Sequence, residues 1–136
     1  MQLYIQKEES MVEKTLKVYS EERPWGEFRQ YVHNDVCTVK TLIVKVGQGL
    51  SDQRHQNRTE LWIFHTSGGK VTLEYPNGMK EVLEPEIGSE ILIPAGTWHM
   101  LECIESASAS LRVTEVSFGN FDEHDEERRF DRYGRK

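Results

Sequence analysis

The chain has 136 residues, 37% hydrophobic and 29% charged, with a formal net charge of -6. That is the size of one ordinary domain. It holds no run of about 18 apolar residues that could span a membrane as a helix. Its basic residues are scattered and outnumbered rather than gathered into the patch or stripe of a nucleic-acid binder, so neither nucleic acid nor membrane is expected as a partner. Cys37 and Cys103 are too few for a disulfide scaffold. The stretch from Met1 to Glu9 lacks the apolar core of a secretory signal. Reduced thiols and a cytoplasmic protein are the expectation.

Residues 1–22 are charged and weakly patterned, and read as an N-terminal extension. Leu3, Tyr4 and Ile5 fit an added edge strand, and Glu8 to Lys17 fit one or two helical turns. Arg23-Pro24-Trp25-Gly26 forms a corner, since proline fixes φ and glycine permits a turn. Residues 23–136 then read as a single domain of short strands: Glu27 to Val32, Cys37 to Val46, Leu61 to Thr66, Val71 to Tyr75, Lys80 to Leu83, Glu90 to Ile93, His99 to Ile104 and Ser108 to Phe118. Turn residues punctuate them, with Pro76-Asn77-Gly78 the strongest hairpin signal. The pattern is all-β, a sandwich or barrel. The alternation of Leu111 and Val113 slips to Val116 and Phe118, which predicts a bulge near Thr114 or Glu115. The charged tail from Asp122 to Lys136 reads as a solvated helical turn or a frayed end.

Chemistry concentrates in Gln53-Arg54-His55-Gln56-Asn57-Arg58-Thr59-Glu60 and, far downstream, at His99. Alternation along a strand puts Glu60, Trp62 and Phe64 on one face and Leu61, Ile63 and His65 on the other. Both faces are apolar beyond Glu60, so the strand is expected to be covered on both sides, by a second sheet or by a partner subunit in a homodimer. Gln53 and His55 are two residues apart and face the same way in extended geometry. Two imidazoles, a carboxylate and an amide oxygen suit one divalent ion, Zn, Mn, Co, Fe or Ni. The same spacing also fits ordinary polar loop residues with a hydrogen-bonded histidine. Lys40 shares a face with Leu42, Val44 and Val46, where it is either a substrate contact or an exposed strand-end residue. Glu102 has the outward parity of a surface carboxylate. Cys103 reads as a small buried hydrophobe.

Two motifs carry a resemblance. Gly49-x5-His55-x-Asn57-x2-Glu60-x7-Gly68 resembles the first cupin motif, and Gly88-x5-Pro94-x-Gly96-x2-His99-x3-Cys103 resembles the second. Arg23-Pro24-Trp25-Gly26, the run from Leu50 to Trp62, the segment from Ile93 to Glu102 and the ending Asp131-Arg132-Tyr133-Gly134-Arg135 narrow the match. Together they resemble the cupin domain of type II mannose-6-phosphate isomerases, often fused to a mannose-1-phosphate guanylyltransferase.

The resemblance implies a jelly-roll barrel, or double-stranded β-helix, with a short N-terminal helix or strand and a short C-terminal helical turn. It implies Gln53, His55, Glu60 and His99 as metal ligands, with zinc the first expectation, and Arg58 as the catalytic arginine. It implies Arg128, Tyr133 and Arg135 as substrate-binding residues on a tail that closes over the barrel mouth, to which the strand reading adds Lys40. The implied activity is metal-dependent interconversion of mannose 6-phosphate and fructose 6-phosphate, for polysaccharide biosynthesis. Alternatives are a cupin acting on another sugar phosphate or nucleotide sugar, and a non-catalytic sugar-binding cupin. The family usually has histidine where this chain has Gln56, Asn57 and Leu61. The guanylyltransferase domain, and with it that activity, is expected to be absent.

Overall fold

The computed structural model describes residues 3–4 and 18–136. Its strands are β1 (Leu3–Tyr4), β2 (Tyr19–Arg23), β3 (Gly26–Gln30), β4 (Cys37–Val44), β5 (Asp52–Arg54), β6 (Glu60–Phe64), β7 (Gly69–Glu74), β8 (Lys80–Leu83), β9 (Glu90–Ile93), β10 (Trp98–Cys103), β11 (Leu111–Phe118) and β12 (Glu127–Phe130). One five-stranded sheet runs β1-β9-β6-β11-β4, and a second runs β12-β5-β10-β7-β8. β2 and β3 form a separate hairpin whose turn is Pro24-Trp25. The expected edge strand exists at Leu3–Tyr4, parallel to β9. Ile5 and the helical turns expected over Glu8 to Lys17 lie outside the described residues.

The two sheets face each other across one core. Val44, Trp62, Phe64, Ile91, Ile93, Leu111 and Val113 from the first sheet meet Val71, Leu73, Leu101 and Cys103 from the second. Burying each large apolar side chain is worth about 1.5–3 kcal/mol. This core therefore holds the sheets together and fixes which face of each strand points inward. The inward set on β6 is Trp62 and Phe64, as alternation from Glu60 requires.

Leu61 and Ile63 point outward into a second apolar cluster with Leu92 and Val116. Val18, Tyr31 and Val32 cover that cluster, with Cys37 of β4 and Phe118 of β11 packed beside it. The outer cover is therefore this chain's own N-terminal layer, and burying β6 on both faces needs no second subunit. Glu90, fully buried, anchors the layer: the Arg29 guanidinium donates to its two oxygens at 3.0 and 2.7 Å, and the Tyr31 hydroxyl donates to it as well. The hairpin β2–β3 runs across residue 22, so chain on both sides of that position belongs to one layer.

Two expectations are corrected. β11 pairs with β4 in unbroken register from Leu111 to Phe118 and with β6 from Val113 to Ser117, with no bulge. The apolar pattern changes sides because the inward face turns polar at Glu115 and Ser117 while the outward face meets the N-terminal layer at Val116 and Phe118. Nor does the C-terminal segment form a helical turn among the described residues. It makes a tight turn, with the Asp125 amide donating to the Asp122 carbonyl at 3.1 Å, and then adds β12 to the edge of the second sheet. Dense charge favours that edge. Arg129 bonds Asp52 and Glu74, Arg54 bonds Glu127, and both guanidinium groups stack on the Trp98 ring at 4.4 and 4.6 Å.

Candidate metal centre

Three elements bring the ligating side chains together. Glu60 opens β6 and faces inward because Trp62 and Phe64 do. His99 is the second residue of β10 and lies on the inner face with Leu101 and Cys103. His55 follows β5, in a loop joined to the Pro94–Thr97 turn by the Gly96 amide, which donates to the His55 carbonyl at 2.7 Å. Gly96 has φ +83, a conformation that glycine adopts without strain and that this turn needs. One donor atom from each of His55, Glu60 and His99 falls within 4.8 Å of the other two, and all three residues are buried. Gln53 lies directly opposite His99 in the β5–β10 register. Directly opposed residues share a face, so the Gln53 side chain is on the His99 side of the sheet.

The donor set fits a divalent ion. His55 Nε2 is 3.5 Å from Glu60 Oε2, and His99 Nε2 is 3.6 Å from Glu60 Oε1. Those distances are too long for good hydrogen bonds. Two donors each about 2.1 Å from a shared tetrahedral ion would lie about 3.4 Å apart, close to what is seen. Glu60 Oε1 is buried without a hydrogen-bond partner, although a buried carboxylate oxygen left unpaired is costly. An ion between the three residues would satisfy it.

The surroundings prepare both imidazoles as ligands. The Asp125 carbonyl is 2.7 Å from His55 Nδ1, and the Thr97 carbonyl is 2.9 Å from His99 Nδ1. Each carbonyl can only accept, so Nδ1 carries the proton and Nε2 presents a lone pair toward Glu60. Burial, and then the proximity of His99, hold His55 below the ordinary histidine range; burial holds His99 down at about 4. Both rings are therefore neutral at pH 7, the form that binds metal.

Arg58 joins this group. It is buried, its Nε donates to Glu60 Oε2 at 3.0 Å, and its Nη2 lies 2.9 Å from His55 Nε2. Its guanidinium also stacks on the Phe121 ring at 4.3 Å, and Lys40 Nζ lies 4.2 Å from the same ring. Lys40 is thus exposed at the rim with its head turned toward the site residues.

Arg128 is the cross-strand partner of Gln53, on the same face. Its guanidinium pairs with Glu126 at 2.8 Å and the Lys136 carbonyl at 2.7 Å. Tyr133 and Arg135 are not brought to the cluster. The Tyr133 hydroxyl donates to Gln48, Arg135 pairs with Asp131, and both line a cavity of about 610 Å³ beside Val44 and Leu50. Glu102 pairs with Arg132 at 2.7 Å, the surface role its parity implied.

Three contributors were not singled out in the sequence. Asp125 clamps the ligand loop, its carboxylate accepting from the Gln56 and Asn57 amides at 2.8 and 2.9 Å. Phe121 supplies the ring between Lys40 and Arg58. Glu115 is buried on the inner face, opposite Lys40 on one side and Trp62 on the other. Trp62 Nε1 donates to it at 3.3 Å. Burial, and then Glu60, push Glu115 up to about 7. The slip in alternation at Glu115 was its only sequence signal.

The structure also explains the three missing histidines. Leu61 faces the outer apolar cluster, away from Glu60's partners. Gln56 and Asn57 meet Asp125 through their backbone amides, and the Gln56 side chain donates to Glu127 at 2.6 Å.

Comparison with known proteins agrees with this fold. A sugar 3,4-ketoisomerase from Thermoanaerobacterium thermosaccharolyticum, QdtA, solved with TDP, superposes with a TM-score of 0.63 over 87% of this chain and 88% of that one, at 16% identity. The capsular polysaccharide assembling protein CapF of Staphylococcus aureus gives 0.58 over 82% of this chain and 34% of that one, at 16% identity. L-ribose isomerase from Cellulomonas parahominis gives 0.56 over 63% of this chain and 50% of that one, at 16% identity. These likenesses establish the cupin fold. In sequence, the chain is 39% identical over 114 residues to a mannose-1-phosphate guanylyltransferase of Escherichia coli, covering 83% of this chain and 22% of that protein. The ManC guanylyltransferase of Salmonella typhimurium is 37% identical over 114 residues, again 83% of this chain and 22% of its own length. The chain thus spans about a fifth of the relatives it matches. Residues 7–132 match the cupin family described as Mannose-6-phosphate isomerase C-terminal, and the chain belongs to that family.

Proposed function

We propose that the chain is a metal-dependent sugar-phosphate isomerase that interconverts mannose 6-phosphate and fructose 6-phosphate. The observation that carries this reading is the buried His55–Glu60–His99 cluster with Arg58 against it, in a chain of this family. His55, Glu60 and His99 would hold the ion, with Gln53 positioned to add a fourth donor. A bound divalent ion, zinc by first choice, supplies Lewis-acid polarisation of the sugar's carbonyl and hydroxyl oxygens.

The chain's own residues do the rest. Arg58 provides a fixed positive charge in a water-poor site, where charge developing on the sugar oxygen is worth most. Its contacts with Glu60 and His55 keep it oriented before substrate arrives. Lys40, at the rim, and Arg128, on the Gln53 face, would be the cations that meet a phosphate, and a guanidinium suits it bidentately. Tyr133 and Arg135 would reach the sugar only if the tail beyond β12 moved from its contacts with Gln48 and Asp131.

The test is a coupled assay of metal-loaded protein on mannose 6-phosphate, alongside a metal-free control. Turnover that needs the metal supports the reading. Metal-loaded protein that leaves the sugar unchanged refutes it.

A second reading is a cupin acting on a nucleotide sugar. The likeness to QdtA over nearly the whole of both chains favours it. NMR of a panel of sugar phosphates and nucleotide sugars separates the two by which sugar exchanges a C–H proton with solvent.

A further inference from the structure

An aldose–ketose isomerase needs a group that moves a proton between C2 and C1, and no ligand of the proposed ion is free to do so. The structure assigns that role to Glu115, with Lys40 as its charge partner. The inference rests on the isomerase reading above.

The register places Glu115 within reach. Ser117 is opposite Glu60, and Glu115 is opposite Trp62, so Glu115 lies two residues along β11 from the level of Glu60. Strand rise makes that about 7 Å, on the same inner face. The carboxylate is held on one side by Trp62 Nε1, whose ring in turn packs edge-on against His99 at 5.5 Å. On the other side stands Lys40, its partner across the β11–β4 ladder. Lys40 is exposed and Glu115 is 8% exposed, so the pair leads from the rim inward. The Trp62 bond is the single hydrogen bond of the Glu115 carboxylate among the described residues, which leaves its remaining acceptor capacity for a substrate.

A buried carboxylate with so few partners is expensive to keep unless it serves a reaction. Burial raises its proton affinity most and Glu60 adds to that, while the Trp62 bond, Lys40 and Arg58 pull it down.

The step balances without an oxidant. The Glu115 carboxylate takes the C2 proton of the open-chain aldose. The C–H electron pair becomes the C1–C2 double bond, and the C1 carbonyl pair moves to O1, which takes a proton from water, giving the enediol. O2 then gives its proton to water as the C2 carbonyl forms, and the protonated Glu115 delivers its proton to C1.

The experiment uses the full metal-loaded chain in D2O with mannose 6-phosphate. Wild type should turn over and incorporate deuterium at C1 or C2 as the proton held on Glu115 exchanges with solvent before delivery. Glu115→Gln should lose about 10²–10⁴-fold in both kcat and exchange, with the metal affinity of wild type by calorimetry. Lys40→Met should move the acidic limb of the pH–rate profile to higher pH, an effect that mere loss of packing would not produce. Glu115→Gln exchanging within threefold of wild type overturns the assignment and leaves the isomerase reading standing. Wild type that neither converts nor exchanges mannose 6-phosphate overturns both. If Glu115→Gln does not fold, Glu115→Asp and Lys40→Met decide: an unchanged rate in the first or an unmoved limb in the second overturns the assignment.

Discussion

Asp125→Ala probes how the C-terminal turn supports the metal centre. Asp125 makes three bonds to the ligand loop: its carboxylate accepts from the Gln56 and Asn57 amides, and its carbonyl accepts from His55 Nδ1. Desolvation works against the ionised carboxylate, yet the two amide bonds hold it below its ordinary value, so it is charged at any pH where metal binds. Alanine deletes the two side-chain bonds. The backbone carbonyl survives, but nothing then fixes it against His55, and the ring is free to turn its lone pair away from Glu60. Loss of such a supporting partner costs about 10–100-fold in metal affinity, or about 1.4–2.7 kcal/mol. The assay is calorimetric titration of chelator-stripped protein with zinc. Glu127→Ala is the control, because it cuts the same segment only at its exposed contacts with Arg54 and Gln56 and should leave affinity within about twofold. An Asp125→Ala protein that is folded and binds zinc as tightly as wild type refutes the reasoning.

Three further outcomes follow from the same geometry. Arg58→Ala should abolish turnover while leaving zinc affinity unchanged or higher, since it removes a cation 3.0 Å from Glu60; weaker binding on titration would contradict this. His99 has its pKa held near 4, below the ordinary 6.5, so the folded state binds fewer protons than the unfolded chain. Its contribution to metal-free stability, about 3 kcal/mol, is present above pH 6.5 and lost as pH falls toward 4; His99→Gln should flatten that part of the melting-temperature profile. Arg29→Met strands the buried Glu90 carboxylate and should cost about 3 kcal/mol, roughly 10 °C in Tm by calorimetry. Adding Glu90→Gln should restore part of that loss, because Tyr31 can still donate to the amide oxygen.

Much of this protein is written locally. Alternation along Glu60 to Phe64 was enough to put Glu60, Trp62 and Phe64 inward, because a strand's period of two leaves no other choice once one face is core. The same rule placed His99 with Leu101 and Cys103, and Pro-Asn-Gly marked its hairpin. The meeting of His55, Glu60 and His99 was legible from spacing and family motif together. Short strands whose stability comes from partners were not. β5 (Asp52–Arg54) and β12 (Glu127–Phe130) are polar, and each exists because another strand offers hydrogen bonds and countercharges.

What covers β6 outside, and whether Leu61 matters to the site, depended on where the N-terminal layer docks, which no local pattern encodes. Glu115 looked like a break in alternation because the sequence does not say when an inward face stops being core and becomes a site. Asp125 lay in a charged run and became a clamp only by meeting two amides 69 and 68 residues away. Strand period is a local property and can be read from the chain. Contacts between distant loops and the polarity each face requires are set by packing, so only the tertiary structure decided them.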